Sequence, residues 1–319
     1  MRKPQKPVLL GFVILFLMIT VFWLISHDDR DAIRAIDRSA GKVTLLHKSP
    51  LSDTNFPPKR VYRSIVLSTE HLGEIEALIS KPERITEKLP VLLVMGGWEA
   101  GAKIFKLVAN PGKYILAIYR YPYQPRDWKE GMGLQEIVHI KKAIYSVPSQ
   151  VLTLVDWFRK QPDVDKTRIS LLGFSLGALF LPSVYHLDHV KGARLNAGVI
   201  AFGGADLADI LRTNLKNLNT FFRIPAAYAA ALMIRDLEPA VHLPHMKNRF
   251  LVINASKDKL ISRHSRELLV RLTPEPKTVV TLETGHIGTN KVALVHQVVE
   301  ISTRWLTERG VLKEKISDR

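Results

Sequence analysis

The sequence predicts an α/β protein: a mostly parallel, doubly wound sheet with a helical insertion, preceded by one transmembrane helix. Three observations predict it. From about residue 60 onward, short apolar runs alternate with longer amphipathic segments. A G-x-S-x-G sequence stands between one of those runs and the segment that follows it. An uncharged apolar stretch occupies the N-terminus.

The elements follow in chain order. Pro7 to Ser26 carries no charge, and roughly 20 apolar residues suffice to span a hydrocarbon core as a helix. Arg2, Lys3 and Lys6 precede it; Asp28, Asp29, Arg30 and Asp31 follow. The positive flank predicts a cytoplasmic N-terminus and a body outside the cytoplasm. Trp23 suits the outer interface. The competing reading is a cleaved signal peptide, but the apolar stretch is long for one, and Leu24-Ile25-Ser26-His27 is a poor cleavage site. Residues 1–27 are therefore assigned as cytoplasmic stub and anchor, and 28–60 as a polar connector with one strand at Val43–His47.

The body is assigned to 61–312. Val61–Ser68 and Glu74–Ser80 are β-rich and flank His71-Leu72-Gly73, which predicts a hairpin. Val91–Met95 is continuously apolar, as a strand covered on both faces must be. Further strands are expected at Tyr114–Tyr119, Arg168–Leu172, Ala197–Phe202, Phe250–Asn254 and Thr278–Leu282. Helices are expected at Pro148–Lys160, Ser175–His186, Ser262–Leu272 and Lys291–Arg309. Two stretches break the alternation. Arg120–Ile144 reads as a long connection bearing Tyr, Pro and Gly, and 206–248 as a helical insertion, or cap. Residues 313–319 form a basic tail. Long excursions of this kind often shape ligand sites.

Composition narrows the function classes. The chain has 319 residues, 46 Lys plus Arg against 30 Asp plus Glu, and a net charge of +16. Its basic residues are dispersed, without an Arg/Lys stripe interleaved with aromatics or a recognisable nucleic-acid-binding motif, so nucleic acid is not expected as a partner. An anionic bilayer beside the anchor fits the charge better. With no cysteine, thiolate catalysis, disulfides and Cys-zinc sites are excluded.

The chemistry centres on Ser170-Leu171-Leu172-Gly173-Phe174-Ser175-Leu176-Gly177-Ala178. An apolar strand runs in and a helix runs out. Glycines at 173 and 177 relieve crowding at the sharp turn, which holds Ser175 at the helix N-terminus with its hydroxyl exposed. In this context the segment resembles the α/β-hydrolase superfamily. The likeness is closest to the group of dienelactone hydrolases, prolyl-oligopeptidase-like domains and acyl-thioester hydrolases, and it extends over about residues 60–310. The resemblance implies a nucleophile, then an acid after a later strand, then a histidine after the last strand. Asp258, in the loop after Phe250–Asn254 and before Leu260-Ile261, matches the acid. His286, in Thr284-Gly285-His286 after the last strand, matches the base.

Alternatives stay open. Asp206, after Gly203-Gly204-Ala205, is the second candidate acid. His264 and His296 lie within helices. His186, Asp188 and His189 have metal-like spacing but fit a solvated helix end, and His242 and His245 fall in the insertion. The resemblance also implies an oxyanion hole, in which each backbone donor contributes about 3 kcal/mol. Leu176 N–H would be one donor, and Gly97 or Trp98 the other. The usual His-Gly-Gly opening of that loop reads Met95-Gly96-Gly97 here.

The expected activity is hydrolysis of an acyl ester, thioester or amide through Ser175, His286 and Asp258, with no metal or cofactor required. Leu218, Phe221, Phe222, Ile224, Tyr228, Leu232 and Met233 in the insertion suggest a small or lipid-like substrate with an apolar acyl part. The same residues would serve an acyltransferase, and a non-catalytic binding protein could use the same fold.

Overall fold

Nine strands form one mixed sheet in the order β1-β2-β3-β5-β4-β6-β7-β8-β9 in the computed structural model, which describes residues 31–97, 101–108, 112–123 and 134–313. The apolar stretch at 7–26 and Trp98 lie outside the described residues. Among the described residues, no helix is long and apolar enough to cross a membrane.

The strands β1 (Val43–Pro50), β2 (Arg60–Thr69) and β3 (Glu74–Pro82) make an antiparallel edge. Residues 31–60 supply the outermost strand: the one expected at Val43–His47 within the connector is present and runs on to Pro50. They also supply the short helix α1 (Ala32–Ile36), whose Ile33 and Ile36 are buried. From β4 (Leu89–Met95) onward the pairing is parallel, through β5 (Ile115–Arg120), β6 (Val164–Phe174), β7 (Gly198–Ala201), β8 (Phe250–Ala255) and β9 (Lys277–Leu282).

All seven residues of β4 are buried, because helices cover both faces of the sheet there. Successive side chains alternate between faces. Val91 and Leu93 join the core beneath α3 (Leu134–Arg159) and α4 (Leu176–Val190). Leu92 and Val94 join the opposite core, beneath α2 (Lys103–Leu107) and the C-terminal helix, Val292–Glu308.

The helix α3 differs from the sequence expectation. The sequence places Pro148 in its first turn, yet the described helix spans Leu134–Arg159 and Pro148 lies inside it. Proline removes one backbone donor and usually kinks or ends a helix. Here the apolar spacing Ile140, Ile144, Val147, Val151, Val155 runs straight through it, and the last three are fully buried. Burial of that face outweighs the lost hydrogen bond.

Between β7 and β8 lies the cap. It contains α5 (Leu207–Asn214), α6 (Thr220–Met233), α7 (Pro239–His242) and two single 3₁₀ turns, Arg235–Leu237 and Leu243–His245. The helices α8 (Arg263–Leu272) and α9 (Val292–Glu308) follow β8 and β9. Because β4, β6, β8 and β9 run parallel, the loops after all four open on one rim of the sheet. Those loops hold Gly97, Ser175, Asp258 and His286.

Candidate active site

The strand β6 ends at Phe174, and α4 begins at Leu176. One residue turns the chain between them. Ser175 has φ 52° and ψ −112°, a backbone that L-residues rarely adopt. Its amide donates to Ala201 O at 2.9 Å, and its carbonyl accepts from Ala178 N at 3.0 Å. The flanking glycines have steric reasons. A Cβ at Gly177 would lie 1.9 Å from Met95 O, and one at Gly173 2.7 Å from Gly177 O. Any side chain at either position would force the strand, turn and helix apart.

Three predicted residues converge here. Ser175 Oγ lies 2.7 Å from His286 Nε2, and His286 Nδ1 lies 2.7 Å from Asp258 Oδ2. They are separated by 111 and 28 positions along the chain. The Asp258 side chain is 0% exposed and that of His286 10%. Asp258 Oδ1 accepts the amides of Leu260 and Ile261 at 2.8 and 3.0 Å. Burial works against ionisation of Asp258. The hydrogen bond and charge of His286, with the two amides, outweigh it and hold the carboxyl below its ordinary value. An ionised Asp258 accepts the Nδ1 proton, which leaves Nε2 free to accept from the serine hydroxyl.

The two loops that carry this pair support each other. Ser256 N donates to Leu282 O, and Lys257 N to Thr284 O, both at 2.9 Å. Lys291 Nζ donates to His286 O at 2.7 Å, and the Phe202 ring meets the imidazole edge-on at 5.9 Å.

The loop after β4 lies against Ser175. A Cβ built on Gly97 would be 3.6 Å from Ser175 Cβ and 3.9 Å from its Oγ, so Gly97 approaches without a side chain of its own. Leu176 and Gly97 both line the chamber around Ser175. Gly96 O accepts from Gly177 N at 3.1 Å and from Tyr121 Oη at 3.0 Å. Tyr121 was not singled out from sequence. It packs between Tyr119 and Phe180, and burial pushes its hydroxyl well above the ordinary tyrosine value, so it stays a protonated donor. Nothing in its local sequence marks it, because its partner lies 25 residues earlier.

The alternative residues lie elsewhere. Asp206 caps α5, accepting from Asp209 N, and faces His264 at 3.5 Å instead of His286. His296 is exposed on α9. His186 stacks on His245 at 4.4 Å and meets His242 Nδ1 at 3.0 Å, away from Ser175. Asp188 is buried against Arg194 and Leu195 N. Among the described residues no cluster of His, Asp or Glu is arranged to hold a metal ion.

The cap differs from expectation in which residues face the site. Of the apolar insertion residues named from sequence, Met233 is partly exposed and lines the chamber, whereas Leu218, Phe221, Phe222, Ile224 and Tyr228 are exposed and do not line it. The cap's chamber wall is built largely by Leu207, Ile210, Leu211 and Ile234.

Comparison with solved structures agrees with the topology. Acetyl xylan esterase 1 from Thermoanaerobacterium sp. superposes with a TM-score of 0.62 at 13% identity, covering 87% of this chain and 90% of that one. An acetyl xylan esterase from a Paenibacillus species also gives 0.62, at 15% identity over 87% and 92%. The chain has the α/β-hydrolase fold. An S-formylglutathione hydrolase from Agrobacterium tumefaciens shares it, with a TM-score of 0.53 at 12% identity over 83% and 99%. No family model and no curated protein matches the sequence. At these identities the likeness is one of fold, and chemistry has to be argued from the site.

Proposed function

We propose that the chain is a serine hydrolase that cleaves an acyl ester, thioester or amide through an acyl-enzyme. The observation that carries this reading is the unbroken chain of short hydrogen bonds from Ser175 Oγ to His286 to Asp258. It opens on a chamber whose walls include Gly97 and Leu176.

In this reading Ser175 Oγ attacks the acyl carbon, and its proton passes to His286 Nε2. Asp258 steadies the resulting imidazolium. The tetrahedral oxyanion is held by the Leu176 amide and a second amide from Gly97 or Trp98. Collapse breaks the bond to the leaving group, which takes the proton from His286. Water then attacks the acyl-enzyme by the same route, gives its proton to His286, and releases the acid. Ser175 recovers its proton.

The test is pre-steady-state turnover of p-nitrophenyl butyrate. A burst of nitrophenolate matching the enzyme concentration, absent in Ser175→Ala, is expected when deacylation is slower than acylation. Equal steady-state turnover by wild type and Ser175→Ala would refute the reading.

We also propose that residues 7–26 anchor the domain in a membrane with the body outside the cytoplasm. The support is the uncharged apolar run and the charges around it. Protease added to spheroplasts should digest the body, and full protection would reverse the orientation.

A further inference from the structure

The chamber over Ser175 is large, about 860 Å³, near the upper end of the range of roughly 300–1,000 Å³ for small-molecule sites. Its walls come from both layers of the fold. Ile104, Leu107, Val295 and Val299 line it from the α2 and α9 side. Ile140, Ile144 and Leu179 line it from α3 and α4, and Ile210, Leu211 and Met233 close it from the cap. Among the described lining residues there is no carboxylate. Apart from His286, Lys141 is the one side chain there that can carry positive charge. Its ammonium sits 5.4 Å above the Tyr145 ring.

Such a lining selects by what it cannot do. A sugar or peptide brings many hydroxyls or amides into the site. Each loses water and needs a partner in return. Besides Ser175 and His286, the neutral polar side chains here are Asn214, Thr289 and Asn290. An acetyl group needs no such partners, but it would leave most of the apolar wall uncovered. A long hydrocarbon chain satisfies the wall without asking for hydrogen bonds.

Building on the reading of Ser175 as nucleophile, we propose that the site takes esters carrying a long aliphatic chain, on the order of eight carbons or more. The chain lies along the apolar wall with its carbonyl carbon at Ser175 Oγ. Hydrocarbon of the same chemistry could belong to the acyl or to the alcohol part, and two substrate series separate these.

The experiment measures kcat/KM for p-nitrophenyl acetate, butyrate, hexanoate and octanoate, and for the acetates of ethanol, butanol and octanol, all below micelle-forming concentrations. A fully buried methylene corresponds to about a threefold to fourfold gain. One series should therefore rise by about 100-fold or more from its shortest to its longest member. A rise in the nitrophenyl series assigns the chain to the acyl side, and a rise in the acetate series assigns it to the alcohol side. If both series are flat or falling while a small fluorophosphonate still labels Ser175, the chain proposal is overturned and the nucleophile reading stands. No labelling and no turnover would overturn the nucleophile reading itself, and the proposal with it. Leu211→Trp and Val299→Trp fill opposite walls. At least one should lower the long-to-short ratio by about tenfold or more, as expected when several methylenes are displaced. A ratio unchanged in both would contradict the proposal.

Discussion

The turn at Ser175 and the cap helix α6 face the same chamber, yet they are built on opposite terms. At the turn, a single added methyl on Gly177 would come within 1.9 Å of a backbone oxygen. Ser175, His286 and Asp258 are tied by hydrogen bonds, and the strands leading to Ser175 and Asp258 end in buried residues. In α6, Ala227 is the one buried residue, and Phe221 at its start is 79% exposed. The difference separates two tasks. Bond making needs reacting atoms fixed to within a fraction of an ångström, which a packed sheet rim supplies. Enclosing a substrate needs only area, and a lightly held wall supplies that. Changes at the rim should therefore act on the rate, and changes on the outer face of α6 should act on little.

The sharpest separation is at the base. His286→Ala should lower kcat by about four to six orders of magnitude while the protein stays folded, since the residues of the proposed triad would act as a unit. His264→Ala, 63% exposed and facing Asp206, should leave kcat within about twofold, a change of a few tenths of a kcal/mol. If the two results were exchanged, the assignment of base and acid would be wrong. Tyr121→Phe comes next. It removes the hydroxyl donating to Gly96 O while keeping the ring between Tyr119 and Phe180. We expect kcat to fall by about tenfold with KM little altered, and stability to fall by about 1 kcal/mol. An unchanged kcat would show that the loop after β4 holds its place without this contact.

The third prediction concerns the inner end of the cap. Burial, then the neighbouring His242 and His245, pushes His186 down to about 4; His189 adds to this and Asp31 opposes it. His242 is also lowered, chiefly by burial. An unfolded histidine near 6.5 takes up a proton at a pH where folded His186 does not. Stability is therefore full above about 6.5 and is lost as the pH falls toward 4. The melting temperature should drop across that window, and His186→Phe should flatten the drop. A drop of the same size in the variant would place its cause elsewhere. Smallest of all, Phe221→Ser on α6 should change stability by no more than about 0.5 kcal/mol. A larger loss in chemical denaturation would mean that this face is covered in solution.

The same contrast decided what could be read from sequence. Ser175 was legible from the apolar strand and glycines around it, and Asp258 and His286 from the chain order that the resemblance implies, each in a loop after a parallel strand whose end reaches the same rim. Tyr121 was not, since its role exists only through a carbonyl on a different strand's loop. The first half of α3 was hidden by Pro148, whose local penalty points to a helix start while burial over several turns decides otherwise. In α6 the run TFFRIPAAYAAALM is apolar on nearly every side, so periodicity could not tell which face looks inward. Its aromatic residues were expected at the substrate and stand mainly in solvent.

The most direct test of the account is covalent labelling of the wild-type protein with a small fluorophosphonate, followed by peptide mass mapping. One adduct is expected, on Ser175, forming rapidly in the wild type, far more slowly in His286→Ala, and not at all in Ser175→Ala. A folded wild-type protein that carries no adduct at Ser175, or labels there equally fast without His286, would contradict it.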